Sequence, residues 1–194
     1  MRRAVVLVAL TVVFSGVLEA QSKAPSRVPP KSTSPAVTAT PALPTAWRNA
    51  RWGMTAAEVL AAFPGEAAQL PVAVNYSDKY RGLVGIEGYQ IANVAYAVRF
   101  LFDRQERLAL INITPAPRDS STLTFNSLAQ LLTEKYGQPL TNHEEKTRVS
   151  DSREKTWKTP EALIDLDYVN IRSIDRTNLV LQYRPSVSAG TDKL

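Results

Sequence analysis

The 194-residue chain contains no cysteine and one histidine, His143. The first absence excludes a disulfide framework, a thiolate metal site, a cysteine nucleophile and the acylated cysteine of a bacterial lipoprotein. The second leaves any transition-metal site short of its usual histidine and cysteine ligands. It also makes Ser-His-Asp chemistry depend on a single imidazole, with no Gly-x-Ser-x-Gly elbow to hold a serine for it. A phosphate-cradling loop is missing as well. Gly82, Gly85 and Gly88 have no Gly-Lys-Ser/Thr after them and open no helix, so they read as turns and a bulge. Together these gaps imply no cofactor and no metal. Nor is any apolar run of comfortable membrane-spanning length: Ala4 to Leu18 falls short of the roughly 20 residues that a bilayer requires.

What is present begins with an address. MRRAVVLVALTVVFSGVLEAQ places two arginines ahead of an apolar middle and a small-residue exit, the order of a secretory signal peptide. Residues 1–20 are therefore expected to be removed near Ala20, giving a periplasmic or secreted protein. The alternative is an uncleaved segment that holds the chain to the inner membrane. Residues 21–45, QSKAPSRVPPKSTSPAVTATPALPT, hold too little apolar surface to offset their ordering entropy and are expected to be a disordered tether.

Charge is divided unevenly between these parts. Of the formal +5, Lys23, Arg27 and Lys31 of the tether supply +3, whereas residues 46–186 hold 17 Lys and Arg against 16 Asp and Glu. The basic character thus belongs mostly to the tails. A nucleic-acid reader concentrates cations on its folded face, so no nucleic-acid partner is expected, and membrane contact is at most peripheral or through the leader. Residues 46–186 are the size of one domain, and 187–194 are expected to be a flexible tail.

Within that domain, Thr55 and Glu58 have the spacing of a capping box. A helix over Ala56–Phe63 follows, with Ala57, Leu60 and Phe63 as its expected buried face and Pro64-Gly65 as its stop. A second helix lies in LTFNSLAQLLTEKYGQP. Thr124 or Asn126 is its expected cap, Phe125, Leu128, Leu131, Leu132 and Tyr136 its apolar face, and Gly137 and Pro139 its end. Strand-like material follows each helix. VAVNY and the alternating VAYAVRFLFD and RLALINIT come first, the latter two as a hairpin; HEEKTRVS, REKTWKT, ALIDLDYV and NLVLQYR come second. Ile164, Leu166 and Tyr168 form one inward row, and Leu179, Leu181 and Tyr183 form its partner. The pattern predicts an α+β domain with two helices packed on one face of an antiparallel meander sheet, in two similar helix-plus-strands halves.

RWGMTAAEV, YAVRFLFD before RLALINI, LLTEKYGQP, TWKTP and LVLQY together resemble a class of exported bacterial proteins. These are similar to the SmpA/OmlA-type outer-membrane assembly lipoproteins and to the beta-lactamase-inhibitor-protein-like fold. The resemblance covers most of residues 47–184. It implies helices on an antiparallel sheet and a role in binding other proteins rather than catalysis. Assembly lipoproteins carry an acylated cysteine after the signal, and this chain has none.

Few residues stand out as carriers of chemistry. Asp165 and Asp167 project from one strand face, roughly 7 Å apart at the backbone. With His143 they form the only set on which a hydrolase or lyase could be built, though an Asp-x-Asp alternation is ordinarily the wet side of a strand. His143, in NHEEK, reads as solvent-facing. Trp157 shares its strand face with Arg153 and Lys155. It is either packed over the sheet or part of an exposed contact point, since tryptophan beside arginine favours partners where both are accessible. The expected function is a non-enzymatic binding or scaffold domain of the cell envelope with an envelope or secreted protein as partner. Two alternatives stay open: a small-ligand or lipid carrier with an apolar cavity between sheet and helices, and the hydrolase or lyase using Asp165, Asp167 and His143.

Overall fold

The computed structural model describes residues 43–186. The expected leader, all but the end of the tether, and the 187–194 tail lie outside the described residues. Near the start of the described residues the Pro44 carbonyl accepts the Trp52 N–H at 2.9 Å. Strands β1 (Thr45–Trp47) and β2 (Ala50–Arg51) form a two-stranded strap that turns at Arg48, whose φ is 51°.

Helix α1 (Ala56–Ala62) begins at the capping box. The Thr55 hydroxyl oxygen accepts the Glu58 N–H at 3.3 Å, and the Glu58 carboxylate accepts the Thr55 N–H at 2.7 Å. Its buried face differs from the expected one: Val59 and Phe63 are fully buried, Leu60 is half-buried and Ala57 is exposed. In so short a helix the bulky pair at i and i+4 decides which side faces inward, since a single methyl adds little buried area.

Four strands follow: β3 (Ala67–Asn75), β4 (Arg81–Ile91), β5 (Val94–Phe102) and β6 (Leu108–Pro115). The glycine-rich stretch expected to turn is instead one long strand, β4. A Cβ on Gly85 would stand 2.8 Å from Arg99 Nη1 and 3.0 Å from the Val98 carbonyl oxygen, so glycine serves close approach rather than reversal. The expected bulge is present around Gly88, where pairing with β5 shifts between Ile86 and Tyr89 and φ is +67°.

Helix α2 (Thr122–Tyr136) is capped one turn earlier than expected. Ser121 accepts the Thr124 N–H at 3.2 Å, while the Thr124 hydroxyl donates to the Asp119 carbonyl at 2.6 Å. Phe125, Leu128 and Leu132 are buried as predicted, joined by Ala129, but Leu131 is 40% exposed. Gly137 ends the helix at φ 83°. Strands β7 (Thr141–Lys146), β8 (Ser150–Lys158), β9 (Ala162–Ile171) and β10 (Arg176–Pro185) complete the chain.

The strands form one antiparallel sheet in the order β3-β4-β5-β6-β10-β9-β8-β7. Each group of four is a meander, and the two meet where the last strand of one pairs with the last strand of the other: Ile111 opposite Tyr183 and Ile113 opposite Leu181. The architecture is α+β and mostly sheet. Phe100, Ile111, Tyr183, Ile164 and Trp157 stand opposite one another in a row across five strands. Phe63 of the α1 C-cap packs on Phe100 with ring centroids 5.4 Å apart, and Phe125 of α2 packs on Tyr168 at 6.1 Å. Among the described residues no helix is long and apolar enough to cross a membrane.

Candidate interaction surface

Because side chains alternate along a strand, the residues between those core positions form the opposite face of the sheet. Its central row runs Arg99, Asn112, Gln182, Asp165, Thr156 and Thr141, each opposite the next on the neighbouring strand. Three of these polar residues are buried: Asn112 is 8% exposed, Asp165 7% and Thr156 7%. They satisfy one another. Gln182 donates to the Asn112 side-chain oxygen at 2.9 Å, Thr156 donates to Asp165 Oδ1 at 2.9 Å, and the Arg184 guanidinium donates to Asp165 Oδ2 at 2.6 Å and Oδ1 at 3.4 Å. Arg99 pairs with Glu87 of β4. Leu110 on one half and Leu163 on the other, both half-buried, supply apolar surface beside this row, while Leu101 on the same face is fully buried.

Asp165 is therefore not the wet side of its strand. Its partner Arg184 lies one strand over on β10, and the carboxylate is held between a guanidinium and a hydroxyl. Asp167 has a different environment. Burial, reinforced by Glu154 opposite and Asp165 nearby and opposed by Arg184, pushes its carboxyl up to about 6. A second row on this face runs Asp167, Glu154 and His143. His143 is exposed, as the sequence suggests, and with Ser152, Glu154 and Asp167 it borders a hollow of about 180 Å³. Among the described residues His143 makes no hydrogen bond to either aspartate. The three residues of the hydrolase reading share a face, with Glu154 between His143 and Asp167 and with Asp165 already paired. No group of three or more metal-ligating side chains is present among the described residues.

The other candidates point the opposite way. Trp157 is 1% exposed and donates its indole N–H to the Gly137 carbonyl at 3.0 Å, so it is a core anchor that joins β8 to the end of α2. A contact role for Trp157 is overturned by that burial. Arg153 pairs with Asp151 at 3.4 Å, and Lys155 donates to the Asn142 side-chain oxygen at 2.7 Å, both on the Trp157 face. Sequence reasoning missed Asn112, Gln182, Arg184 and Thr156. The available signal was the polar residue at an outward position in the otherwise apolar strands RLALINIT and NLVLQYR.

A cleft of about 680 Å³ lies elsewhere, at the end of the sheet where the segments flanking the β1–β2 strap, the β5–β6 turn, the β8–β9 turn and the end of β10 converge. It is not between sheet and helices, where a carrier cavity was expected.

No family model matches the chain, and no curated protein matches it. Among solved structures it is similar to a DUF4309 family protein from Bacillus subtilis, at 14% identity over 68% of this chain and 78% of that one, with a TM-score of 0.36. A likeness of that size assigns no role to any residue.

Proposed function

We propose that the chain is a non-enzymatic binding or scaffold domain of the bacterial cell envelope, exported behind its N-terminal leader and acting by protein-protein contact through the open face of the sheet. The observation that carries this reading is a pair of hydrogen-bonded clusters on that face, Gln182 with the buried Asn112 and Arg184 with the buried Asp165 and Thr156, which hold the half-buried Gln182 and the exposed Arg184 in place. Polar groups already held in place lose little freedom when a partner arrives, and this reduces the entropic cost of binding. Gln182 and Arg184, mixed with Leu110 and Leu163, give the blend of apolar and polar surface usual for non-obligate interfaces.

In this reading both helices cover the face built on Phe100, Ile111 and Ile164, the two helix-plus-four-strand halves are related units, and the opposite face is left for a partner. The leader and the proline-rich spacer support an envelope location, and the resemblance to assembly lipoproteins supports a partner-binding role. The pairing of Asp165 with Arg184 favours a structural duty for that carboxylate over acid-base turnover.

The test is site-specific cross-linking in bacterial cells that export the full chain. A photo-reactive residue at Thr114 or Val169 on the open face is expected to capture one discrete envelope protein. The same residue at Ala57, on the exposed side of α1, is expected to capture none. Equal yields from the three positions, or no adduct from any, refutes the reading.

A further inference from the structure

We infer that the cleft at the end of the sheet binds a single-chain amphiphile with an anionic head, a fatty acid being the simplest. Its size, about 680 Å³, falls within the roughly 300–1,000 Å³ typical of sites that enclose small molecules. Its walls include Leu43, Trp52, Leu108, Pro44, Pro160 and Pro185. The three prolines have no N–H to offer. The Trp52 indole N–H is committed to the Glu161 carbonyl at 3.0 Å, and the same carbonyl accepts the Ser186 N–H at 3.2 Å. These groups are thus already paired, so this part of the wall meets a ligand mainly with hydrocarbon. Leu43, 39% exposed, stands among them as a large apolar side chain still partly open to solvent.

The head is specified by Arg107. In the β5–β6 turn, Asp103 Oδ1 accepts the N–H groups of Gln105 and Arg107, both at 2.9 Å, so this carboxylate is tied into the turn. The Arg107 guanidinium donates one N–H to the Gly53 carbonyl at 3.3 Å. A guanidinium has five donors in a planar fork that matches a carboxylate, and the remaining ones suit an acid head. Among the described residues Arg107 is the one cationic side chain in the lining, so an acid head is directed to it. This cleft is separate from the open face of the sheet, and failure of either proposal leaves the other intact.

Titration calorimetry of the full chain with dodecanoate below its micelle-forming concentration, beside dodecanol and dodecyltrimethylammonium, is the test. Dodecanoate is expected to bind roughly tenfold more tightly than dodecanol, about 1.4 kcal/mol, and the cation more weakly still. Arg107→Gln should bring acid and alcohol level, and Leu43→Glu should weaken both. Both residues are exposed, so unchanged melting curves will show that the variants fold. Overturning results are no heat with any of the three, equal binding of acid and alcohol by the unaltered chain, a preference that survives Arg107→Gln, or displacement of dodecanoate by a proline-rich peptide.

Discussion

The two halves of the sheet share a topology and differ in how each secures its helix. In the first half α1 spans only seven residues, too few to hold itself by its own hydrogen bonds. An aromatic cluster makes up the difference: Trp47 of the strap stacks on Phe63 at 5.9 Å and meets Tyr89 edge-on at 5.2 Å. Arg48 lies over all three rings at 5.2 to 5.5 Å and is held there by a two-pronged pair with Glu66, at 2.7 and 3.0 Å. In the second half α2 spans fifteen residues and needs no strap. Phe125, Leu128 and Leu132 bury its face, and Trp157 ties its end to β8. A short helix is thus retained by what packs over it and a long one by its own apolar stripe. The face opposite Phe100 and Ile164 is divided along the same line. The first half presents Ala97 and Thr114 with Arg99 paired to Glu87, whereas the second carries Asp165, Asp167 and Glu154 close together.

Substitutions test that contrast. The largest effect is expected from the anchors. Trp157→Ala in the second half and Phe63→Ala in the first should each cost about 3–5 kcal/mol of unfolding free energy in urea titrations. If both halves unfold as one unit through the β6–β10 ladder, each variant will show a single transition. Two transitions would mean that the halves are independent.

Smaller losses should distinguish the strap from the stripe. Arg48→Ala removes ring contacts and an ion pair whose partners are 34% and 45% exposed, so roughly 1 kcal/mol is expected. A double-mutant cycle with Glu66→Ala should assign only a minor part of that loss to the pair itself, most of it belonging to the ring contacts. Thr55→Ala should cost about 1 kcal/mol by breaking the capping box, and Ser121→Ala a similar amount in α2. The comparison predicts that hydrogen exchange rises along all of α1 in the first variant but only over the first turn of α2 in the second.

The most modest effect concerns acidity. The Asp167 carboxyl titrates at about 6 in the folded chain against 3.8 for an unperturbed group, so between those values the native state holds more protons than the unfolded one. Stability therefore falls as pH rises from about 4 to 6, and the destabilisation persists above that range. Asp167→Asn should raise the melting temperature at pH 7.5, with the difference vanishing below pH 4. Solvent near this partly exposed group keeps the gain small. A lower melting temperature for the variant at pH 7.5 would show that Asp167 is stabilised by its surroundings.

Much of the framework was legible in the chain. The Thr55/Glu58 capping box, the Gly137 stop, the β5–β6 hairpin and the inward rows of β9 and β10 are local patterns, set by spacing within ten or so residues. The misses have a common cause. Ala57 and Leu131 satisfied the helical period, but the side that packs was chosen by bulkier neighbours and by the sheet beneath. Thr124 met the requirements of a cap, yet Ser121 took that place and left the Thr124 hydroxyl to the Asp119 carbonyl. β4 looked interrupted because nothing nearby in sequence announces that Arg99 and Leu70 press against Gly85. Asp165 appeared solvated because its partner, Arg184, is 19 residues away.

The sequence by itself determined both helices and the apolar sides of β5, β9 and β10, since backbone period and side-chain size act over a few residues. Only the tertiary structure decided that β6 pairs with β10, that polar residues are buried in hydrogen-bonded clusters on the face opposite Phe100 and Ile164, and that four distant segments converge on an apolar cleft. Those outcomes depend on contacts between residues far apart in the chain, and no local periodicity encodes which strand becomes whose neighbour.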